Sequence, residues 1–243
     1  MKVGYMKYLP FIVLLVGIII TAGCISPHQN TVDTPTPQIV YEKVTVTPTL
    51  SPTPALKTVL FSDDLSIWRS EWDKEYDYPD GKTFYSGGSL HIRDNDPPTG
   101  AMYHTLNKNF NDFFLDVDTI TVAGTLDNWQ TVYIRESGEK NYYDLGISAD
   151  GYYGIQKMEN GNLVHLSGTN PTRSSYINTG IGATNHMQIE ADKNTLSLSV
   201  NGHHLQTVTD NSFKEGTVSL GANCKTSNSF TEVSYNNLVI TTI

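Results

Sequence analysis

The sequence is poor in the groups that carry the commonest chemistries. It holds two cysteines in 243 residues, Cys24 at the end of an apolar segment and Cys224 near the C terminus. No Cys/His cluster has the spacing that zinc needs. A disulfide between the two would tether a leader to the fold, so Cys224 reads as a small buried hydrophobe. Seven histidines are scattered, and only His203-His204 are adjacent. Beside a turn, that pair reads as hairpin surface. Basic residues are also scarce, with 16 Lys and Arg against 25 Asp and Glu and a formal net charge of -9. Neutralising phosphates takes a basic footprint, so no nucleic-acid partner is expected. A P-loop, a dinucleotide fingerprint and a G-x-S-x-G elbow are all missing, so no organic cofactor is expected. Nor is there a convincing run of helical, 3.6-residue periodicity.

Residues 1–24 pair a short positive region, Lys2 and Lys7, with an apolar run from Phe11 to Ile20. That run is too short for a comfortable membrane span of ~20 residues. It closes in Thr21-Ala22-Gly23-Cys24. The segment resembles a prokaryotic lipoprotein signal peptide. The resemblance implies that the small residues before the cysteine fit the signal peptidase, and that Cys24 becomes the lipidated first residue. Thr21 stands where that family commonly has Leu. An uncleaved signal anchor is the alternative, and both put the rest of the chain outside the cytoplasmic membrane. The expected location is therefore the extracellular face of the cell membrane, lipid-anchored through Cys24. Residues 25–56 interleave Pro35, Pro37, Pro48, Pro52 and Pro54 with threonines. Such a stretch cannot bury enough apolar surface to fold and reads as an extended stalk.

From residue 57 to 243 the period is two. Strands are expected at 58–61, 89–93, 101–106, 113–122, 129–135, 142–147, 152–158, 163–166 and 233–241. Turn residues separate them: Ser86-Gly87-Gly88, Asp94-Asn95-Asp96 with the prolines that follow, Asp150-Gly151 and Glu159-Asn160-Gly161. The stretch Asn185–Ala222 reads as an antiparallel meander. Met187, Ile189 and Ala191 alternate with polar residues, as do Leu196, Leu198 and Val200, and Asn201-Gly202 is a strong type I′ hairpin signal. The fold class is all-β, a two-sheet antiparallel sandwich.

The order FSDDLSIW, GGSLHIRD, FFLDVDTITVAGTLDNWQTVYIR, NYYDLGISADGYYGIQKMENG, NHMQIEADKNTLSLSVNG, FKEGTVSLGA and VSYNNLVI is similar to the concanavalin A-like lectin/glucanase superfamily. It is closest to the laminarin-type and keto-disaccharide-hydrolase-like branches, which are jelly rolls. The resemblance covers residues 57–243. It implies a carbohydrate partner, a glycan or polysaccharide, on the concave sheet. It also implies a structural calcium ion (Ca2+) away from that face, for which Asp64 and Asn237, near the first and last strands, offer hard oxygen ligands.

Alternation selects the surface. With Val132 and Ile134 inward, Trp129, Tyr133 and Arg135 face out. Tyr142 and Asp144 oppose Tyr143 and Leu145, Tyr152 and Gln156 oppose Tyr153 and Ile155, and Asp116 and Asp118 oppose Leu115 and Val117. Rings stack on sugar C–H faces, and planar polar groups satisfy paired hydroxyls. Glu71, Asp73 and Glu75 match the E-x-D-x-E spacing of laminarinase-type glycoside hydrolases, with one carboxylate as nucleophile and one as general acid. Their surroundings, Tyr76–Gly81, read as a polar loop. Glycan binding without catalysis is the favoured function. A glycoside hydrolase is the second reading, and an adhesive module that binds another surface protein is the third. Lipid anchoring has a direct test: Cys24→Ser is expected to move the chain out of the detergent-extracted membrane fraction or leave it unprocessed, read by fractionation and intact mass. Unchanged partitioning and mass would rule the anchor out.

Overall fold

The structure, a computed structural model, describes residues 56–95, 101–225 and 229–243. The leader, Cys24 and the stalk up to residue 55 lie outside the described residues, as do Asp96 and the two prolines after it. Sixteen strands and no helix occur among the described residues: β1 (Val59–Asp63), β2 (Tyr76–Tyr78), β3 (Gly81–Ser86), β4 (Ser89–Asp94), β5 (Met102–Phe110), β6 (Phe113–Gly124), β7 (Trp129–Glu136), β8 (Asn141–Ser148), β9 (Tyr152–Glu159), β10 (Asn162–His165), β11 (Thr172–Arg173), β12 (Thr184–Asp192), β13 (Thr195–Val200), β14 (His203–Thr209), β15 (Gly216–Asn223) and β16 (Thr231–Thr241). One antiparallel sheet runs β14-β13-β12-β6-β16-β4-β3-β2, with β1 on β16. The second runs β10-β9-β8-β7-β15-β5, with β11 on β9.

The period-two pattern is what buries one face of each sheet. Leu115, Val117, Met187, Ile189, Leu196 and Leu198 of the nine-stranded sheet are fully buried. So are Val132, Ile134, Leu145, Ile155, Val218 and Leu220 of the seven-stranded sheet, and all belong to one core. Each such side chain contributes about 2 kcal/mol on leaving water. Polar side chains inside the sandwich pair across it. Gln130 of β7 donates to Thr121 Oγ1 of β6 at 2.6 Å and accepts from Thr119 at 2.9 Å. The buried Tyr235 hydroxyl of β16 donates to the Gly221 carbonyl of β15 at 2.6 Å.

Three expectations need correction. The strand from Thr217 does not continue the meander: β15 crosses to the other sheet and pairs with β7 and β5. The 213–216 connection has the same turn chemistry whether the chain returns or crosses. Residues 76–81 are not a loop, because Tyr76–Tyr78 pair with β3 as a sheet edge. An edge strand with exposed faces lacks the apolar stripe that marks strands in a sequence. Arg135 is not on the outer face. It has a positive φ of 50° where the β7–β15 register shifts, and its side chain is 0% exposed. The bulge breaks the alternation, and the guanidinium turns inward to the carbonyls of Asn111 (3.1 Å), Lys193 (2.7 Å) and Phe213 (3.1 Å) and to the Asp112 carboxylate (3.0 Å).

His104 of β5 is fully buried, stacked on Trp72 at 5.7 Å, with Nε2 3.3 Å from the Tyr85 hydroxyl. Its Nδ1 has no partner. Burial pushes its pKa down from 6.5 to about 4, against a smaller upward pull from Asp73. The unfolded chain therefore takes up a proton in that window and the native state does not. Stability from this group is present above pH 6.5 and lost as the pH falls through about 4, a loss of ~3 kcal/mol. His186 has the opposite sign. Partial burial disfavours its charge, but Asp118 and Asp116 outweigh that and raise its pKa, so its contribution fades as pH rises. Urea midpoints at neutral and mildly acid pH should show an acid loss that His104→Met flattens. An unchanged acid limb in His104→Met would overturn this account.

Candidate functional site

Register places the polar groups of the seven-stranded sheet in one transverse row. On the outer face, His165 of β10 pairs with Gln156 of β9, Gln156 with Asp144 of β8, and Asp144 with Tyr133 of β7. Tyr133 pairs with Ser219 of β15, and Ser219 with Thr105 of β5. Asp73 completes the row at the edge, its N–H donating to the Thr105 carbonyl at 3.0 Å. Residues as far apart in sequence as Thr105 and Ser219, 114 positions, thus lie side by side because each strand contributes one outward residue at that level.

Glycines shape the floor beside the row. Gly146 and Gly154 face each other across β8 and β9. A Cβ on Gly146 would come within 3.0 Å of the Trp129 ring and 2.8 Å of the Thr131 methyl, and one on Gly154 would lie 3.7 Å from the far edge of the indole. The Trp129 ring therefore extends from β7 across both bare positions, half-exposed. Two adjoining cavities share Trp129, Asn170, Pro171 and Lys225. One of about 430 Å³ adds Asp127, Ser148, Asp150 and Tyr152, and one of about 350 Å³ adds Gln156, His165, Ser167 and Gly168. Within the row, Tyr133 is 4% exposed and packs edge-on against Tyr142 (5.0 Å) and Tyr103 (6.0 Å).

The electrostatics of the row follow from burial. Asp144 is 5% exposed, and its Oδ2 accepts from Gln156 Nε2 at 2.8 Å. Burial pushes its carboxyl up to about 7, with the Gln156 bond pulling the other way. Burial likewise raises Glu136, which accepts from the Ser219 hydroxyl at 2.6 Å. Burial, followed by the charges of Asp144 and Glu136, pushes the Tyr142 phenol up to about 12, so it stays a hydrogen-bond donor. The face therefore offers neutral donors, acceptors and one half-exposed ring, with a carboxyl that can carry its proton near neutrality.

No protein-family model matches the sequence, and no curated protein matches it either. Solved structures do resemble the fold. A carbohydrate binding module from Bacillus subtilis is 15% identical, with 70% of this chain and 94% of that chain covered and a TM-score of 0.54. A Bacillus subtilis protein of unknown function with a galectin-like fold is 12% identical, covering 76% and 97%, with a TM-score of 0.54. The Bacillus licheniformis beta-glucanase is 10% identical, covering 75% and 97%, also at 0.54. The fold is a concanavalin A-like jelly roll.

Within that jelly roll, Trp129, Tyr133, Tyr142, Asp144, Tyr152 and Gln156 all project from the outer face of the seven-stranded sheet, as alternation predicts. Asp116 and Asp118 do not join them, because β6 belongs to the other sheet. There they hold His186, at 3.0 Å to Nε2 and 2.8 Å to Nδ1. Asp73 and Glu75 of the E-x-D-x-E stretch bond to different partners. Trp72, between Glu71 and Asp73, turns into the core, Asp73 Oδ1 accepts from Asn107, and Glu75 accepts from the Tyr85 N–H. Asp64 and Asn237 meet through main-chain atoms at 3.3 Å, as expected of pairing termini. Their side chains part, however: Asp64 accepts from Ser66 and lies 3.7 Å from Arg69, while Asn237 donates to Asp118. With Arg69 supplying the positive charge, this pair does not fit a calcium ion. Among the described residues, no group of three or more His, Cys, Asp or Glu side chains is placed to hold a metal ion. Sequence reasoning missed His165, Asn170, Pro171, Lys225 and Asp150. They sit in turns and on a short edge strand, and only the transverse register brings them to Trp129.

Proposed function

We propose that the chain is an exported glycan-binding protein. It is held outside the membrane by lipid on Cys24, spaced by its Pro/Thr stalk, and binds through the outer face of the seven-stranded sheet. One observation carries the reading: the half-exposed Trp129 indole, laid across Gly146 and Gly154 and opening on two cavities beside the Asp144–Gln156 pair. The C–H face of a sugar stacks on such a ring, while hydroxyls take the carboxyl and carboxamide. The carbohydrate binding module and the beta-glucanase show that this fold hosts sugar-directed proteins; which sugar, if any, depends on the site. On a broad glycan panel the full chain is expected to bind at least one neutral glycan. Trp129→Ala should weaken that binding about tenfold or more, roughly 1.4 kcal/mol, with an unchanged melting temperature. No binding by the unaltered chain would end the proposal.

Hydrolysis is a second reading, favoured by Asp144. A carboxyl at about 7 is protonated when bound at mildly acid pH and suits a general acid at a glycosidic oxygen. The partner carboxylate would come from Glu136 or Asp73 on the same face. This reading expects reducing-sugar release that falls as pH rises past about 7 and vanishes in Asp144→Asn. Retained release in Asp144→Asn excludes Asp144 as the acid.

A further inference from the structure

A third cavity lies at the opposite end of β7. Trp129 opens that strand and Arg135 stands near its close, six residues away, or roughly 20 Å at the rise of a strand. The cavity measures about 440 Å³ and is lined by Asn111, Asp112, Lys193, Asn194, Asn211 and Lys214. Three turns build it: 111–112 between β5 and β6, 193–194 between β12 and β13, and 211–214 between β14 and β15.

The wall is held from behind. The buried Arg135 guanidinium bonds the carbonyls of Asn111, Lys193 and Phe213 and the Asp112 carboxylate, each within 3.1 Å. Asp112 also accepts from the Lys193 N–H at 2.8 Å. The only acid of the lining, 42% exposed, is thereby paired with a buried guanidinium. The lining cations remain: Lys193, whose ammonium is 3.6 Å from Asp192 and 81% exposed, and Lys214, which has no ion-pair partner among the described residues. The side-chain carboxamides of Asn111, Asn194 and Asn211 make no hydrogen bond within the described residues either. Three unengaged carboxamides and an unpaired lysine thus meet in one cavity of a chain whose formal net charge is -9.

We propose that this cavity is a second binding site, for an anionic sugar. Carboxamides donate and accept in one plane and suit vicinal hydroxyls, while the lysines suit a carboxylate or sulfate ester. The volume falls in the range of small-molecule pockets, ~300–1,000 Å³. The site is independent of the Trp129 face. It lies on other turns and differs in charge.

The test titrates the full chain with galacturonate, galactose 6-sulfate, galactose and inorganic sulfate, following the side-chain amide resonances of the three asparagines by NMR. Galacturonate, galactose 6-sulfate or both are expected to shift all three, which separates carboxylate from sulfate ester as the anion. Galactose and inorganic sulfate are expected to bind about tenfold more weakly or worse. Lys214→Gln, an exposed position, should weaken the acidic sugar several-fold and leave neutral-glycan binding unchanged. Asn194→Ala gives a second reading if Lys214→Gln alters expression. Absence of shifts with both acidic sugars, or equal affinity for galactose, would overturn the proposal. Full shifts from inorganic sulfate alone would reduce the cavity to a simple anion site and overturn the sugar assignment.

Discussion

A guanidinium with no access to water must find its partners inside the protein. Desolvating a charge costs several kcal/mol unless pairing and hydrogen bonds offset it, and Arg135 meets that cost with three carbonyls and one carboxylate. Its partners come from turns of both sheets, so one side chain sets where those turns stand relative to β7. The positive φ that permits this also shifts the β7–β15 register, and Glu136 follows the shift onto the outer face beside Ser219. Closure of the sandwich and composition of the candidate face are coupled through one bulge.

The other end of β7 works by the opposite device. Instead of drawing a large side chain inward, the sheet clears space on its surface. A residue with a Cβ at position 146 would meet the Trp129 ring at 3.0 Å, and the indole would have to stand up from the sheet. Lying down, it covers Gly146 and Gly154, while Asp144, two residues before Gly146 on the same face, is buried and its carboxyl raised to about 7.

Period two made most of this legible in the sequence. The inward residues of β7, β8 and β9 and the outward Trp129, Tyr142, Asp144, Tyr152 and Gln156 follow from alternation alone, since a half-buried strand fixes both faces at once. Arg135 did not, because a bulge is a single positive φ that residue types other than glycine seldom announce. The β2–β3 hairpin escaped notice because exposed edge strands carry no apolar stripe. Asp116 and Asp118 were assigned to the wrong face for another reason. Alternation gives the side of a strand and says nothing about which sheet the strand enters. The crossing of β15 is the same ambiguity, and the turn cavity around Asn111, Asn194 and Asn211 is its consequence: three asparagines in three unrelated turns share no pattern until topology joins them.

The two outer faces contain similar residues, and what separates them is how far those residues satisfy one another. On the nine-stranded sheet His186 bonds both Asp116 and Asp118, Gln188 also bonds Asp116, and Asn237 bonds Asp118. The imidazole and both carboxylates are occupied, and the raised His186 pKa expresses that closure: a proton there strengthens contacts within the sheet. The same carboxylate-and-amide chemistry on the seven-stranded sheet leaves a half-buried ring with cavities open beside it. A ligand at Asp116 and Asp118 would first have to break their bonds to His186, Gln188 and Asn237. A sugar on Trp129 would displace water from apolar surface, and only hydroxyls reaching Asp144 would compete with its bond to Gln156.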